Sequence, residues 1–376
     1  MKVLLTGGAG FIGSHTTDAL ISRGNAVRVL DCLDPQIHET HGTFPAYMNP
    51  EAECVRGDVR NLADVASALE DIDVVYHFAA QTGVGQSMYA LRDYVDTNCT
   101  GTATLLDAML KCPKRPKRLV LASSRAVYGE GMYRCAVHGK VSPGLRSRTR
   151  LDDGDFIPRC PQCDGPVDML QTEEDAPLAP VSVYGWTKLQ QEQLCRHVST
   201  TAGIELVILR YFNVIGSRQS LGNPYTGILT VFYKRIMSGR DIPLYELGRP
   251  IRDFVHVRDV VAANVLALEA NLPARFMEFN VGTGRPLTVH GLADALARAC
   301  GRPAVMEQTR QFRVGDIFAC VADMNRARSV LGYGPVVDLD AGVEEFVAWA
   351  RTQANSDDAE QAARELEQHG LLGRAQ

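Results

Sequence analysis

The chain has 376 residues, 45% hydrophobic and 22% charged, which suits a soluble globular protein long enough for two packed lobes. Its formal net charge of −5 comes from interleaved signs, which excludes the one-sided Lys/Arg surface of a nucleic-acid binder. No apolar run reaches the length that a bilayer crossing needs, and Met1-Lys2-Val3-Leu4-Leu5 runs straight into a glycine turn, so a cytoplasmic location is expected.

Lys2 to Leu5 reads as a short buried strand, followed by Thr6-Gly-Gly-Ala-Gly-Phe-Ile-Gly13 and a helical stretch to Arg23. Gly7, Gly10 and Gly13 supply a tight turn, a close backbone approach to pyrophosphate and close packing of helix on strand. A second apolar strand, Ala26 to Leu30, ends in Asp31, where an acid can hydrogen-bond an adenosine ribose and repels the extra phosphate of NADP. A solvated strand end is the plain alternative for Asp31.

Strand-like Glu53 to Arg56 leads to Asp58, Leu62 to Leu69 reads helical, and Val74 to Ala80 reads as another buried strand. This alternation predicts an α/β, doubly wound parallel (Rossmann) sheet. A helix containing Asn98 and a short solvated basic run, Lys111 to Lys117, precede strand Arg118 to Ala122. That strand ends in Ser123-Ser124-Arg125-Ala126-Val127-Tyr128-Gly129, and ligands gather at the carboxyl ends of such strands. Ser124 is therefore expected to face the crevice of the glycine loop, although a strand-end Ser can be a mere turn residue.

Most of the ten Cys are scattered singly in apolar surroundings, where a reduced core thiol is the default. Cys135-Ala-Val-His138 and Cys160-Pro-Gln-Cys163 differ. They form two close pairs of soft or borderline ligands, joined by an Arg-rich link, and match a closed structural zinc site. The alternative is ordinary loop cysteines with a solvated His138. Further on, Tyr184 and Lys188 stand four residues apart, so on a helix phenol and ammonium share one face and a nearby cation favours phenolate.

The glycine loop, Asp31, His77-Phe78-Ala79-Ala80, Ser124 ahead of Val127-Tyr128-Gly129, Tyr184xxxLys188 and Arg210-Tyr211-Phe212-Asn213 follow one another in the order of the extended short-chain dehydrogenases/reductases. More narrowly, the chain resembles the nucleotide-sugar epimerase/dehydratase branch over about residues 1 to 350. The resemblance implies an NAD-binding domain over residues 1–212 with return segments near 254–285, and a smaller nucleotide-sugar lobe over 213–352. It implies a catalytic Ser124, Tyr184 and Lys188. The cofactor contacts it implies are Gly7, Gly10, Phe11, Ile12, Gly13, Asp31, Asp58, Val59, Phe78, Ala79, Ala80, Asn98 and Tyr211, besides Tyr184 and Lys188.

By the same resemblance Gln86, Ser87, Arg125, Asn213, Asn223, Arg252 and Arg313 touch the sugar or diphosphate, Arg252 by a guanidinium fork, unless it only pairs with Asp253. In the family Ser and Tyr lie much closer together than the 60 residues found between Ser124 and Tyr184. Residues 131–170 thus read as an inserted zinc module that staples a loop too short to fold alone. Residues 353–376 are polar and read as a frayed surface helix without catalytic content. Family members commonly dimerise through a four-helix bundle, which helices around 94–111 and 184–202 can supply.

The resemblance also discriminates among reactions. Dehydratases of the branch carry Asp-Glu just after the Ser/Thr position and decarboxylases a Glu at the second of these places, whereas this chain has Arg125 and Ala126. What remains is oxidation at carbon 4, turnover of the keto-sugar and hydride return to its other face, which is 4-epimerisation. The insert, Gly83 to Tyr89 and Asn223-Pro224-Tyr225-Thr226-Gly227 resemble the dTDP-L-rhamnose 4-epimerase group, whose product is dTDP-6-deoxy-L-talose. Met88 and Tyr89 suit a methyl at carbon 5, while Arg125 can serve a carboxylate. UDP-glucose or UDP-glucuronate 4-epimerisation, a 4-keto-sugar reductase and a non-catalytic NAD-binding scaffold are the alternatives.

Overall fold

The computed structural model describes residues 1–38, 42–223, 225, 227–353 and 359–375. Seven strands form the main sheet: β1 (Lys2–Thr6), β2 (Ala26–Asp31), β3 (Glu53–Arg56), β4 (Val74–His77), β5 (Arg118–Ser124), β6 (Glu205–Tyr211) and β7 (Phe276–Val281). Their order is β7-β6-β5-β4-β1-β2-β3, and every pair is parallel. The order reverses beside β1, so the crevice opens at the carboxyl ends of β1 and β4.

Successive residues of a strand face opposite ways, and the unbroken apolar run of β1 is buried on both sides. Val3 and Leu5 pack with Leu20 of helix Phe11–Ile21 and Val260 and Ala263 of helix Val257–Glu269. Leu4 faces a second core with Val65, Leu105, Met109 and Cys195, which belong to helices Leu62–Ala68, Gly101–Lys111 and Val183–Ala202. The last of these begins at Ser182, whose hydroxyl accepts from Gly185 N at 3.1 Å, and ends at Gly203 in the left-handed conformation at φ 74°.

A separate core joins helices Ile228–Met237, Val289–Cys300 and Leu339–Ala350. The insert builds an antiparallel sheet from Tyr133–Cys135, Gly139–Val141 and Val167–Met169. Its Tyr133, Leu151 and Phe156 share a cluster with Phe312, Phe318 and Ala375. Arg146 fixes the contact: it pairs with Glu246 at 2.5 Å, both side chains being buried, and donates to Asp316 O at 3.0 Å.

The C-terminal segment departs from the frayed helix expected from its polarity. Residues 354–358 lie outside the described residues, but Ala359–Gln368 is a helix and Leu372–Arg374 pairs antiparallel with Gln311–Arg313. Composition alone hid this, because Leu366 is buried and Glu365 accepts from Tyr89 at 2.8 Å, contacts with partners far away in sequence. No helix among the described residues is long and apolar enough to cross a membrane.

Candidate functional site

Gly7 leaves β1 with φ 68°, and a Cβ there would lie 2.6 Å from Ala79 N; a Cβ on Gly13 would lie 2.6 Å from Gly7 O. Glycine is thus what lets the ends of β1 and β4 and the first helix come this close. At the end of β2, Asp31 accepts from Ala9 N at 3.0 Å and Leu33 N at 2.9 Å, with His38 Nε2 at 3.4 Å.

One cleft is lined by Gly7, Gly10, Phe11, Ile12, Gly13, Asp31, Asp58, Val59, Phe78, Ala79, Ala80, Tyr184, Lys188 and Tyr211. A glycine floor, a helix N-terminus and an acid at the end of β2 fit a dinucleotide with an unphosphorylated adenosine ribose. Asn98 is not among the lining residues. It is fully buried, exchanges hydrogen bonds with the Gln81 backbone at 2.7 and 3.1 Å, and donates to Thr187 Oγ1 at 2.9 Å. Its place is to hold the turn after β4 against the helix of Tyr184. Tyr47, Thr97 and Arg218 also line the cleft. No motif marks them: Tyr47 and Arg218 arrive from loops and Thr97 from the helical turn Val95–Thr100, and Arg218 lies over the Tyr47 ring at 5.2 Å.

Ser124 ends β5 with its Oγ accepting from Ala126 N at 3.1 Å, which leaves the hydroxyl hydrogen free to donate. Burial pushes the Tyr184 phenol up, while the Ser124 hydrogen bond and the Arg125 guanidinium pull it down. The spacing argument expects Lys188 in that role. In the structure Lys188 instead donates to Ala122 O at 2.9 Å, and burial lowers its ammonium to about 8. Behind the site Glu192 pairs with buried Arg210 at 2.8 Å and accepts from Ser123 Oγ at 2.5 Å, so helix, β5 and β6 are locked together.

The expected sugar and diphosphate contacts divide. Arg125 is half-buried and has no hydrogen-bond or ion-pair partner among the described residues. Arg313 is exposed, with its guanidinium over Tyr245 at 5.0 Å. Arg252 is buried and committed: it donates to Asp316 Oδ1 and Ile317 O at 2.8 Å, to Ile251 O at 2.9 Å and to Phe318 O at 3.0 Å. Arg252 therefore supports the site's frame, and its carboxylate is Asp316 rather than the adjacent Asp253. Against burial, which pushes it up, Arg252, Arg313, Arg125 and Arg146 hold the Asp316 carboxyl below its usual range.

Ser87 is fully buried and donates to Val84 O at 2.7 Å, closing its own turn instead of facing the cleft. Gln86 is tied to Gln36 at 3.0 and 3.1 Å. Among the described residues, Asn213 Oδ1 and Asn223 Nδ2 are buried without a partner, as are Gln219 Oε1 and Thr230 Oγ1 in the same lobe. Orphaned polar atoms of this kind are costly unless a ligand satisfies them.

In the insert the ligand atoms of Cys135, His138, Cys160 and Cys163 all lie within 4.8 Å of one another. His138 Nδ1 is 3.6 Å from Cys135 Sγ and 3.4 Å from Cys160 Sγ, and the Cys135 and Cys163 sulfurs are 3.8 Å apart. Backbone N–H groups of His138 and Val137 lower the Cys135 thiol to about 6.

The profile of the NAD dependent epimerase/dehydratase family matches residues 3–144 and 160–282. The chain is 37% identical over 352 residues to the dTDP-L-rhamnose 4-epimerase of Burkholderia thailandensis, across 93% of this chain and 94% of that one. It is 32% identical to a putative UDP-glucose 4-epimerase of Methanocaldococcus jannaschii, across 93% and 98%. The fold is similar to UDP-glucuronic acid 4-epimerase from Bacillus cereus in complex with UDP-glucuronic acid and NAD, with TM-score 0.74, 26% identity and coverage of 93% and 99%. By the matched residues and the length of these alignments, the chain belongs to the NAD dependent epimerase/dehydratase family.

Proposed function

We propose that the protein is an NAD-dependent nucleotide-sugar 4-epimerase and that it interconverts dTDP-L-rhamnose and dTDP-6-deoxy-L-talose. The observation that carries the reaction is the paired Ser124 and Tyr184, followed by Arg125 and Ala126, where no carboxylate stands to run an elimination or a decarboxylation. The sugar rests on the 37% identity to the dTDP-L-rhamnose 4-epimerase.

Bound NAD supplies reversible hydride transfer at the sugar's carbon 4. Tyr184 takes the proton of the 4-hydroxyl, and Ser124 donates to that oxygen as its charge changes. Arg125 stabilises the Tyr184 phenolate. Lys188, anchored on Ala122 O beside the cleft, holds the nicotinamide ribose. The keto-sugar turns over in the crevice, and Tyr184 returns the proton when the opposite face is reduced. Incubation with dTDP-L-rhamnose, UDP-glucose or UDP-glucuronate without added reductant tests this. Absence of every 4-epimer, with net reduction of a 4-keto sugar by added NADH or NADPH, refutes it. UDP-glucuronate is the second reading, favoured by the Arg125 guanidinium, which has no hydrogen-bond or ion-pair partner among the described residues and whose fork can bind a carboxylate.

The insert is proposed to hold a structural zinc. A tetrahedron with zinc–sulfur bonds of about 2.3 Å has sulfur–sulfur edges of about 3.8 Å, the separation found between Cys135 and Cys163. Metal analysis of protein purified without chelator should find about one zinc per chain, and less than a few tenths refutes the site. A homodimer is proposed through Leu91, Val95, Leu110 and Trp186, which expose 48, 44, 39 and 58% of their surface on helices that a bundle would pair. Sedimentation at a monomer mass refutes it.

A further inference from the structure

We propose that Arg218 and Tyr47 form a clasp over the dinucleotide cleft, in which the Arg218 guanidinium binds the cofactor's pyrophosphate and the Tyr47 ring holds that guanidinium in place. The proposal rests on the NAD reading of the cleft and adds the groups that keep the cofactor there. Both residues line the cleft together with Gly7, Gly10, Phe11 and Gly13. They arrive from separate turns, Tyr47 from the segment after β2 and Arg218 from the turn after strand Asn213–Ile215, and meet with the guanidinium 5.2 Å from the ring centroid.

Each half is fastened to the frame that carries the glycine loop. Tyr47 Oη donates to Ala9 O at 2.9 Å, so its ring stands on the loop itself. Burial pushes this phenol up to about 12, which keeps the hydroxyl protonated as a donor at neutral pH. Arg218 Nη1 donates at 2.8 Å to Asp18 Oδ2, on the helix that starts at Phe11, while Asp18 Oδ1 accepts from Asn49 Nδ2 at 3.1 Å. One carboxylate thus ties both turns to the first helix. On the same helix His15 Nε2 lies 3.0 Å from Ser217 O, a second tie to the turn of Arg218.

The arrangement points to an anion. Among the described residues Nη1 is the only guanidinium nitrogen of Arg218 with a hydrogen bond or ion pair, which leaves Nε and Nη2 to fork onto phosphate oxygens. The other cations that line the cleft are committed elsewhere: Arg60 to Asp58 and Asp96, Lys188 to Ala122 O, and His38 stands 3.4 Å from Asp31. Arg218 also sits at φ 62°, a left-handed conformation rare for a residue with a side chain and concentrated at ligand clamps. An epimerase regenerates its dinucleotide in every cycle, so slow release of the cofactor suits the reaction.

Titration with ADP and adenosine, which differ by the pyrophosphate, tests the clasp. Arg218→Met should weaken ADP about tenfold and leave adenosine as in wild type, and Tyr47→Leu should shift the ratio in the same direction. NADH chased by excess NAD and followed by its fluorescence should leave both variants about tenfold faster than wild type. An ADP-to-adenosine ratio that stays at the wild-type value in Arg218→Met, whether both ligands bind as before or both weaken together, overturns the proposal, as does NADH release at the wild-type rate. Wild type that binds neither ADP nor NADH overturns the dinucleotide reading as well, so the two failures are told apart.

Discussion

Lys188 Nζ donates to Ala122 O at 2.9 Å, so the ammonium that shares a helix with Tyr184 is anchored on β5 rather than on the phenol. Burial lowers this group to about 8 from an ordinary 10.5, so the folded state releases its proton before the unfolded chain does. Its burial penalty is full below pH 8, falls as pH rises through the interval, and is gone above 10.5. Lys188→Met should therefore stabilise the ligand-free protein by about 3 kcal/mol at pH 7 while losing turnover. Thermal unfolding of both forms should show the gap closing toward pH 10.5; a gap independent of pH contradicts the assignment.

Burial pushes the Tyr184 phenol up, and Arg125 is the cation that, together with the Ser124 hydrogen bond, pulls it down. Its removal in Arg125→Met raises the phenol's pKa, so the acidic limb of kcat/KM should move to higher pH and activity at pH 7 should fall about tenfold. Arg125→Lys should restore part of the limb position. The pH–rate profile checks this, and an unmoved limb removes Arg125 from the proton transfer.

Glu192 and Arg210 are both buried and bonded twice, at 2.8 and 2.9 Å. Glu192→Ala leaves an uncompensated guanidinium and should cost about 3–5 kcal/mol in denaturant unfolding. The Arg210-Tyr211-Phe212-Asn213 run was visible in the sequence only as part of a resemblance; the pair explains Arg210 as the brace of the helix that carries Tyr184.

If zinc fills the proposed site, Cys160→Ser should remove it and expose residues 131–170 to protease, with the nicotinamide cofactor still bound. Retained metal at wild-type stoichiometry would place the zinc elsewhere.

Much of the fold was legible because its signals are local. Unbroken apolar strands, glycine turns and strand-end residues specify the parallel sheet and bring Ser124 and Arg125 beside Tyr184. Contacts that depend on distant loops were not legible. Asn98 turned out to brace Gln81, Ser87 to close its own turn, and Arg252 to pair with Asp316, because each has a partner that no spacing rule names. The docking of the C-terminal helix was hidden for the same reason: Glu365 accepts from Tyr89 and Tyr225, which are 276 and 140 residues away in sequence.

The central claim is that one hydride leaves and returns to the same carbon on a cofactor that is never exchanged. dTDP-L-rhamnose deuterated at carbon 4, incubated in ordinary water without reductant, should give dTDP-6-deoxy-L-talose that keeps the deuterium at carbon 4, and Tyr184→Phe should slow this by about 10²–10⁴. Epimer that has lost its label to water, or product that forms only with added NADH or NADPH, would contradict the account.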